Sequence, residues 1–164
     1  MITFRPEGPF NVKPTRGSSG RLIDQASADR LWRDHPDLAE GIGCYIFGVR
    51  AGRGGYVPIY VGKASTGFRH ECFADHKLKH YNNALNARGA CTPVMFFVVK
   101  ESGPDGALDT CLDHVEHFLM QVASERNAGL ANERRVDYRI LGVFRTSVGP
   151  PSKASRLLRR MLGI

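Results

Sequence analysis

The stretch from Gly41 to Arg69 limits what this chain can fold into more than any other. Cys44 to Val49 and Ile59 to Val61 are short runs of aromatic and β-branched residues. Between them, Ala51-Gly-Arg-Gly-Gly-Tyr56 is turn chemistry, so the pair predicts a β-hairpin. Gly62 is expected to break the second strand, and a helical pattern begins near Thr66. Each strand carries one tyrosine, Tyr45 and Tyr60. Facing side chains of an antiparallel pair lie about 4.5–5.5 Å apart at Cβ. Two phenols, Lys63 and Arg69 are thereby expected to gather where the hairpin meets the helix.

The rest of the chain supplies the surroundings. Residues 1–20 hold Pro6, Pro9, Pro14 and Gly17-Ser-Ser-Gly20, and predict an arm without regular structure. Ser27 is expected to cap a short helix that packs Leu31 and Trp32 onto the body. On the helix from Thr66, the spacing of Arg69, Phe73, His76 and His80 places all four on one face. Asn82 to Gly89 is polar and reads as a loop. Pro93 to Val99 is a nearly continuous apolar run, which predicts a central strand covered on both faces.

Residues 107–126 form the clearest helical pattern, with Leu108, Cys111, Leu112, Val115, Phe118, Leu119 and Val122 on one stripe. Glu116 lies about 110° off that stripe at 100° per residue, beside Leu112. A carboxylate there reaches a cleft without entering the core. Asp113 faces about 60° further from the core and is the weaker candidate. Val136 to Phe144 predicts another strand. From Ser152 the chain predicts an amphipathic helix, with Leu157, Leu158, Met161 and Leu162 opposite Arg156, Arg159 and Arg160.

The ordered residues of this core resemble the GIY-YIG nuclease family. Gly43-Cys44-Tyr45 stands where its first tripeptide would be, and Tyr60-Val61-Gly62 where its second would be. Tyr60-Val-Gly-Lys-Ala64 is similar to the form in the nuclease module of bacterial excision repair, and Arg69, Glu116 and Asn132 extend the likeness. The resemblance covers Gly41 to Asn132. It implies an α+β fold, a small mainly antiparallel β-sheet flanked by helices, within a single domain. That domain divides into an N-terminal arm and short helix (1–40), a core (41–133), and a C-terminal strand and basic helix (134–164). It implies phosphodiester hydrolysis by an endonuclease, with Tyr45, Tyr60, Arg69 and Glu116 catalytic and Asn132 positioning substrate or bracing the site.

Elementary chemistry sets what those residues must do. Hydrolysis of a phosphodiester needs an activated water, neutralised phosphoryl oxygens and a stabilised leaving oxygen. One carboxylate suits Mg²⁺ (or Mn²⁺), which keeps several waters and accepts substrate phosphate as a ligand, so a single metal on Glu116 is expected. Tyr45 and Tyr60 would orient or deprotonate the water. A phenol titrates near 10, so that duty requires cations close by, and Lys63 and Arg69 are the available ones. Arg69 has the fork for two phosphate oxygens, and Lys63 sits in the strand-to-helix turn where phosphate meets helix N–H groups. His76 and His80 are candidate nucleic-acid contacts able to donate or accept a proton.

Charge agrees with a polyanionic partner. The 164 residues carry a net charge of +7 and a pI near 9.5, with 42% hydrophobic residues to fill a core. Nucleic acid, with DNA foremost, is the expected partner, and no membrane span or secretory segment is recognisable. The four cysteines lack paired metal spacing and read as reduced, mostly buried thiols of a cytoplasmic protein. Sequence specificity would have to come from the terminal extensions, a homodimer or a targeting partner. Two other readings compete: a non-catalytic nucleic-acid-binding module on the same scaffold, and a zinc protein using Cys111, His114, His117 or the His76/His80 pair.

Overall fold

The computed structural model describes residues 1–18, 20–52, 55–132 and 153–163. Among these residues the frame is a four-stranded antiparallel sheet in the order β1 (Thr3–Asn11), β6 (Cys91–Ser102), β4 (Gly43–Ala51), β5 (Gly55–Ala64). The predicted hairpin is there, as β4 (Gly43–Ala51) and β5 (Gly55–Ala64), and β6 (Cys91–Ser102) is the predicted central strand. The α+β class is as expected. The strand expected at Val136 to Phe144 lies outside the described residues.

The first difference concerns the N-terminus. Instead of an unstructured arm, β1 (Thr3–Asn11) pairs with β6 along the sheet edge. An edge strand tolerates Pro6 and Pro9 because only one side of its backbone must hydrogen-bond, and the register shifts between Glu7 and Phe10 absorb the second proline. Behind it, Thr15–Gly17 (β2) and Gly20–Leu22 (β3) form a separate two-stranded ribbon.

Both faces of the sheet are covered. Tyr45, Phe47, Met95 and Phe97 point into one core with Trp32 of α1 (Gln25–Asp34) and Tyr81 of α4 (Asp75–Arg88). Cys44, Ile46, Phe96 and Val98 point into the other, with Leu112 and Leu119 of α5 (Leu108–Arg126) and Leu158, Met161 and Leu162 of α6 (Lys153–Leu162). Trp32, 3% exposed, packs edge-on to Phe73 and is the core anchor expected of it. The cap of α1 is Asp24, not Ser27; Ser27 is the third helical residue and closes a reciprocal capping box with Asp24. A short α2 (Pro36–Ala39) leads into β4.

The helix after the hairpin is two helices. A short α3 (Phe68–Glu71) ends at Cys72, and α4 starts at Asp75. The buried ammonium of Lys77 caps the break by donating to Glu71 O at 2.7 Å and to Glu71 Oε2 at 2.9 Å. The chain turn separates Arg69 from His76 and His80, which keep their shared face on α4. The expected loop from Asn82 is the second half of α4. Asn82 is held there because its amide accepts from Ile23 N at 2.7 Å and donates to Ile23 O at 2.9 Å.

Candidate active site

An open cleft of about 380 Å³ lies along the outer edge of β5. Tyr60 of β5, His76 and His80 of α4, and Glu116, His117 and Met120 of α5 line it, with Ala131 and Asn132 closing one side. Residues from four separated segments thus reach one site.

The sheet edge itself positions them. Asn132 accepts from Val61 N at 2.9 Å and donates to Val61 O at 2.7 Å, taking the place of a neighbouring strand. Ala131 N donates to Ile59 O at 2.8 Å and Asn127 Nδ2 donates to Pro58 O at 2.7 Å. The segment after α5 is thereby strapped to β5. Upstream, the Cys44 thiol donates to Leu112 O at 3.6 Å, and Asp113 forms an ion pair with Lys63. These contacts bracket Glu116 and fix which side of α5 meets the cleft. Asn132 therefore braces the sheet edge.

Glu116 is half-buried, as its position at the margin of the apolar stripe predicts. Burial raises its carboxyl above the ordinary value, while the charges of Lys63 and His117 and the Lys63 backbone N–H pull the other way. Among the described residues no three His, Cys, Asp or Glu side chains converge on a metal position, which leaves the zinc reading without a ligand set. A hard divalent cation that keeps several waters needs fewer protein donors. Asp113 is engaged with Lys63, so among the described residues Glu116 is the carboxylate that would hold such an ion, with water and phosphate completing its shell.

Three expected site residues are not brought to this cleft. Tyr45 is fully buried, and its phenol lies across Gly62, its partner on β5. Alternation along β4 and β5 explains the separation: Tyr45 faces the core under α4, whereas Lys63 faces α5 and pairs with Asp113. Burial, followed by the neighbouring Tyr81, pushes the Tyr45 phenol well above its ordinary value, the reverse of what a general base needs. Its hydroxyl sits beside that of Tyr81 without good hydrogen-bond geometry, while Tyr81 donates to Cys72 O at 2.8 Å. Arg69 is exposed on α3 with its Nε 3.7 Å from Glu40 Oε1.

Tyr45→Phe is accordingly expected to keep cleavage within about threefold of wild type and stability within about 1 kcal/mol, since no well-made hydrogen bond is lost. Single-turnover rates and urea denaturation check this. A loss of a hundredfold in rate would return Tyr45 to the chemistry.

Three cleft residues escape the sequence reading as site members. It considers His117 only as a zinc ligand, and Met120 and Ala131 not at all. Adjacency to Glu116 was the available signal for His117; which side of α5 it occupies depends on how the helix seats on β5. Comparison with protein-family models, curated proteins and solved structures returned no match.

Proposed function

We propose that this protein is a metal-dependent endonuclease that hydrolyses phosphodiester bonds in nucleic acid, DNA foremost, at the β5-edge cleft. The observation that supports this best is the meeting of Tyr60, His76, His80, Glu116 and Asn132 in one cleft. Tyr60, Glu116 and Asn132 follow from the resemblance and His76 and His80 from their shared helical face, and 71 residues lie between the first and the last. Glu116 is the residue to hold Mg²⁺ or Mn²⁺, which when bound supplies electrostatic stabilisation of the phosphoryl oxygens. With Tyr45 withdrawn into the core, proton transfer falls to the cleft's own groups. Tyr60 can orient the attacking water, and the imidazoles of His76, His80 and His117 can take up its proton or return one to the leaving oxygen. Lys63, paired with Asp113 beside Glu116, adds positive charge near the carboxylate.

The test is a panel of duplex, flap, junction and single-stranded substrates with Mg²⁺ or Mn²⁺ and with EDTA. Metal-dependent strand scission of at least one form is expected. A second reading, a binding module without catalysis, draws on the outward turn of Arg69 toward Glu40. Binding that persists in EDTA, with no product from any substrate, favours that reading.

Helix α6 extends the surface available to nucleic acid. Leu158, Met161 and Leu162 are buried against the second core, so the helix is docked as its pattern predicts. Arg156 and Arg160 are on its exposed side. Replacing Arg156, Arg159 and Arg160 with Gln is expected to weaken binding to all sequences alike. The log–log salt slope should become shallower by roughly one to three units, with turnover at saturation nearly unchanged. An unchanged slope would assign α6 to packing alone.

A further inference from the structure

Three rings follow one another from the core to the cleft. Tyr45 is buried; Tyr60 stacks on it with centroids 6.4 Å apart and planes at 23°. His80 stacks in turn on Tyr60, at 5.7 Å and 22°. The outer two line the cleft, with Met120 as an apolar wall. The residue after His80 is locked: Tyr81 stacks on Phe47 with centroids 4.0 Å apart, donates to Cys72 O at 2.8 Å, and meets Tyr60 edge-on at 6.0 Å. The outer ring pair is therefore held in place before any ligand arrives.

We propose that the cleft takes one unstacked nucleotide, its base laid on the His80 ring that Tyr60 backs, and that the substrate is a single strand or an unpaired segment in preference to continuous duplex. The inference rests on the reading of this cleft as a nucleic-acid site and adds the form of nucleic acid. In a duplex the base faces are covered by their neighbours, and only edges show in the grooves. A ring platform can engage a base only after it has left the stack. The cleft of about 380 Å³ has room for one nucleotide-sized ligand. Stacking tolerates any base, so the preference would be for structure and not sequence.

The test is binding in EDTA, so that cleavage does not enter. An oligonucleotide of about 12 nucleotides carrying one 2-aminopurine is titrated with the full chain, both alone and annealed to its complement. The single strand is expected to bind at least about tenfold more tightly than the duplex, with its 2-aminopurine fluorescence quenched by ring contact. His80→Ala is expected to weaken single-strand binding by about tenfold and abolish the quenching, with a smaller effect on duplex binding. His80→Phe, which keeps a ring, should restore both. Equal affinity for the two forms, or an unchanged single-strand affinity and quenching in His80→Ala, overturns the proposal. Preferential scission of duplex with Mg²⁺ overturns it too while sustaining the endonuclease reading. Quenched single-strand binding with no scission of any substrate does the reverse.

Discussion

Glu116→Gln is expected to lower metal-dependent cleavage by about a thousandfold or more, because it removes the one carboxylate that lines the cleft among the described residues while preserving side-chain size. The fold should not suffer. Burial raises the Glu116 carboxyl above its ordinary value, so between the ordinary and the raised pKa the native chain binds more protons than the unfolded one. Stability then falls as pH rises through that window, and the charged carboxylate weighs against the native state at neutral pH. The amide lacks that charge, so the thermal midpoint at neutral pH should equal or exceed that of wild type. Activity should follow the opposite course, since protonation competes with the cation: at sub-saturating Mg²⁺ it should fade on acidification, and added Mg²⁺ should offset the loss. Single-turnover cleavage, nucleic-acid binding in EDTA and thermal denaturation, each measured on the same preparation, separate these effects. Full cleavage by the variant at ordinary Mg²⁺ concentrations would remove Glu116 from the site.

What the sequence revealed was whatever is decided locally. Alternation and turn residues marked β4 and β5, an apolar run marked β6, and a long 3.6-residue period marked α5 and the boundary position of Glu116. Long-range partners decided the rest. The prolines of β1 argue against a strand until β6, about 90 residues later, supplies one edge of hydrogen bonds. Asn82 to Arg88 is mostly polar, and its helix is legible only once Ala84 and Leu85 are seen buried beside Tyr81 and Asn82 bonded to Ile23. Within the site, the sequence named five of the cleft's residues but misjudged which face some of their neighbours occupy. Tyr45 and Tyr60 do meet, as the hairpin predicts, yet they stack one behind the other. Facing direction was the missing information, because it depends on the register of β5 and the bulge between Phe47 and Gly48.

Gly43→Ala and Gly62→Ala should both destabilise the hairpin, for different reasons that one experiment can separate. Gly62 does not break its strand; β5 continues to Ala64. A Cβ on Gly62 would lie 2.4 Å from Tyr45 Oη and 2.5 Å from Tyr45 Cζ. Glycine there makes room for the phenol that crosses it. The ring has little freedom to retreat, with Tyr60 stacked on one side, Phe68 edge-on at 6.5 Å, and the Lys77 ammonium 5.4 Å from its centroid. Overpacking of this kind costs about 1–3 kcal/mol. At Gly43 the obstacle is backbone: a Cβ would lie 2.1 Å from Val98 O, so β4 and β6 would have to part where they now touch. That cost should reach about 3 kcal/mol or more, a large share of the stability of a domain this size. Shortening the ring to Tyr45→Leu should therefore recover much of the loss from Gly62→Ala in a double-mutant cycle and none of the loss from Gly43→Ala. Tyr45→Phe should rescue Gly62→Ala poorly, because the Cζ contact remains. Urea denaturation midpoints of the singles and doubles give the coupling energies. Additive losses for the Gly62–Tyr45 pair would mean that the ring does not lie across the glycine, and with it would fall the stacked path from Tyr45 through Tyr60 to the cleft.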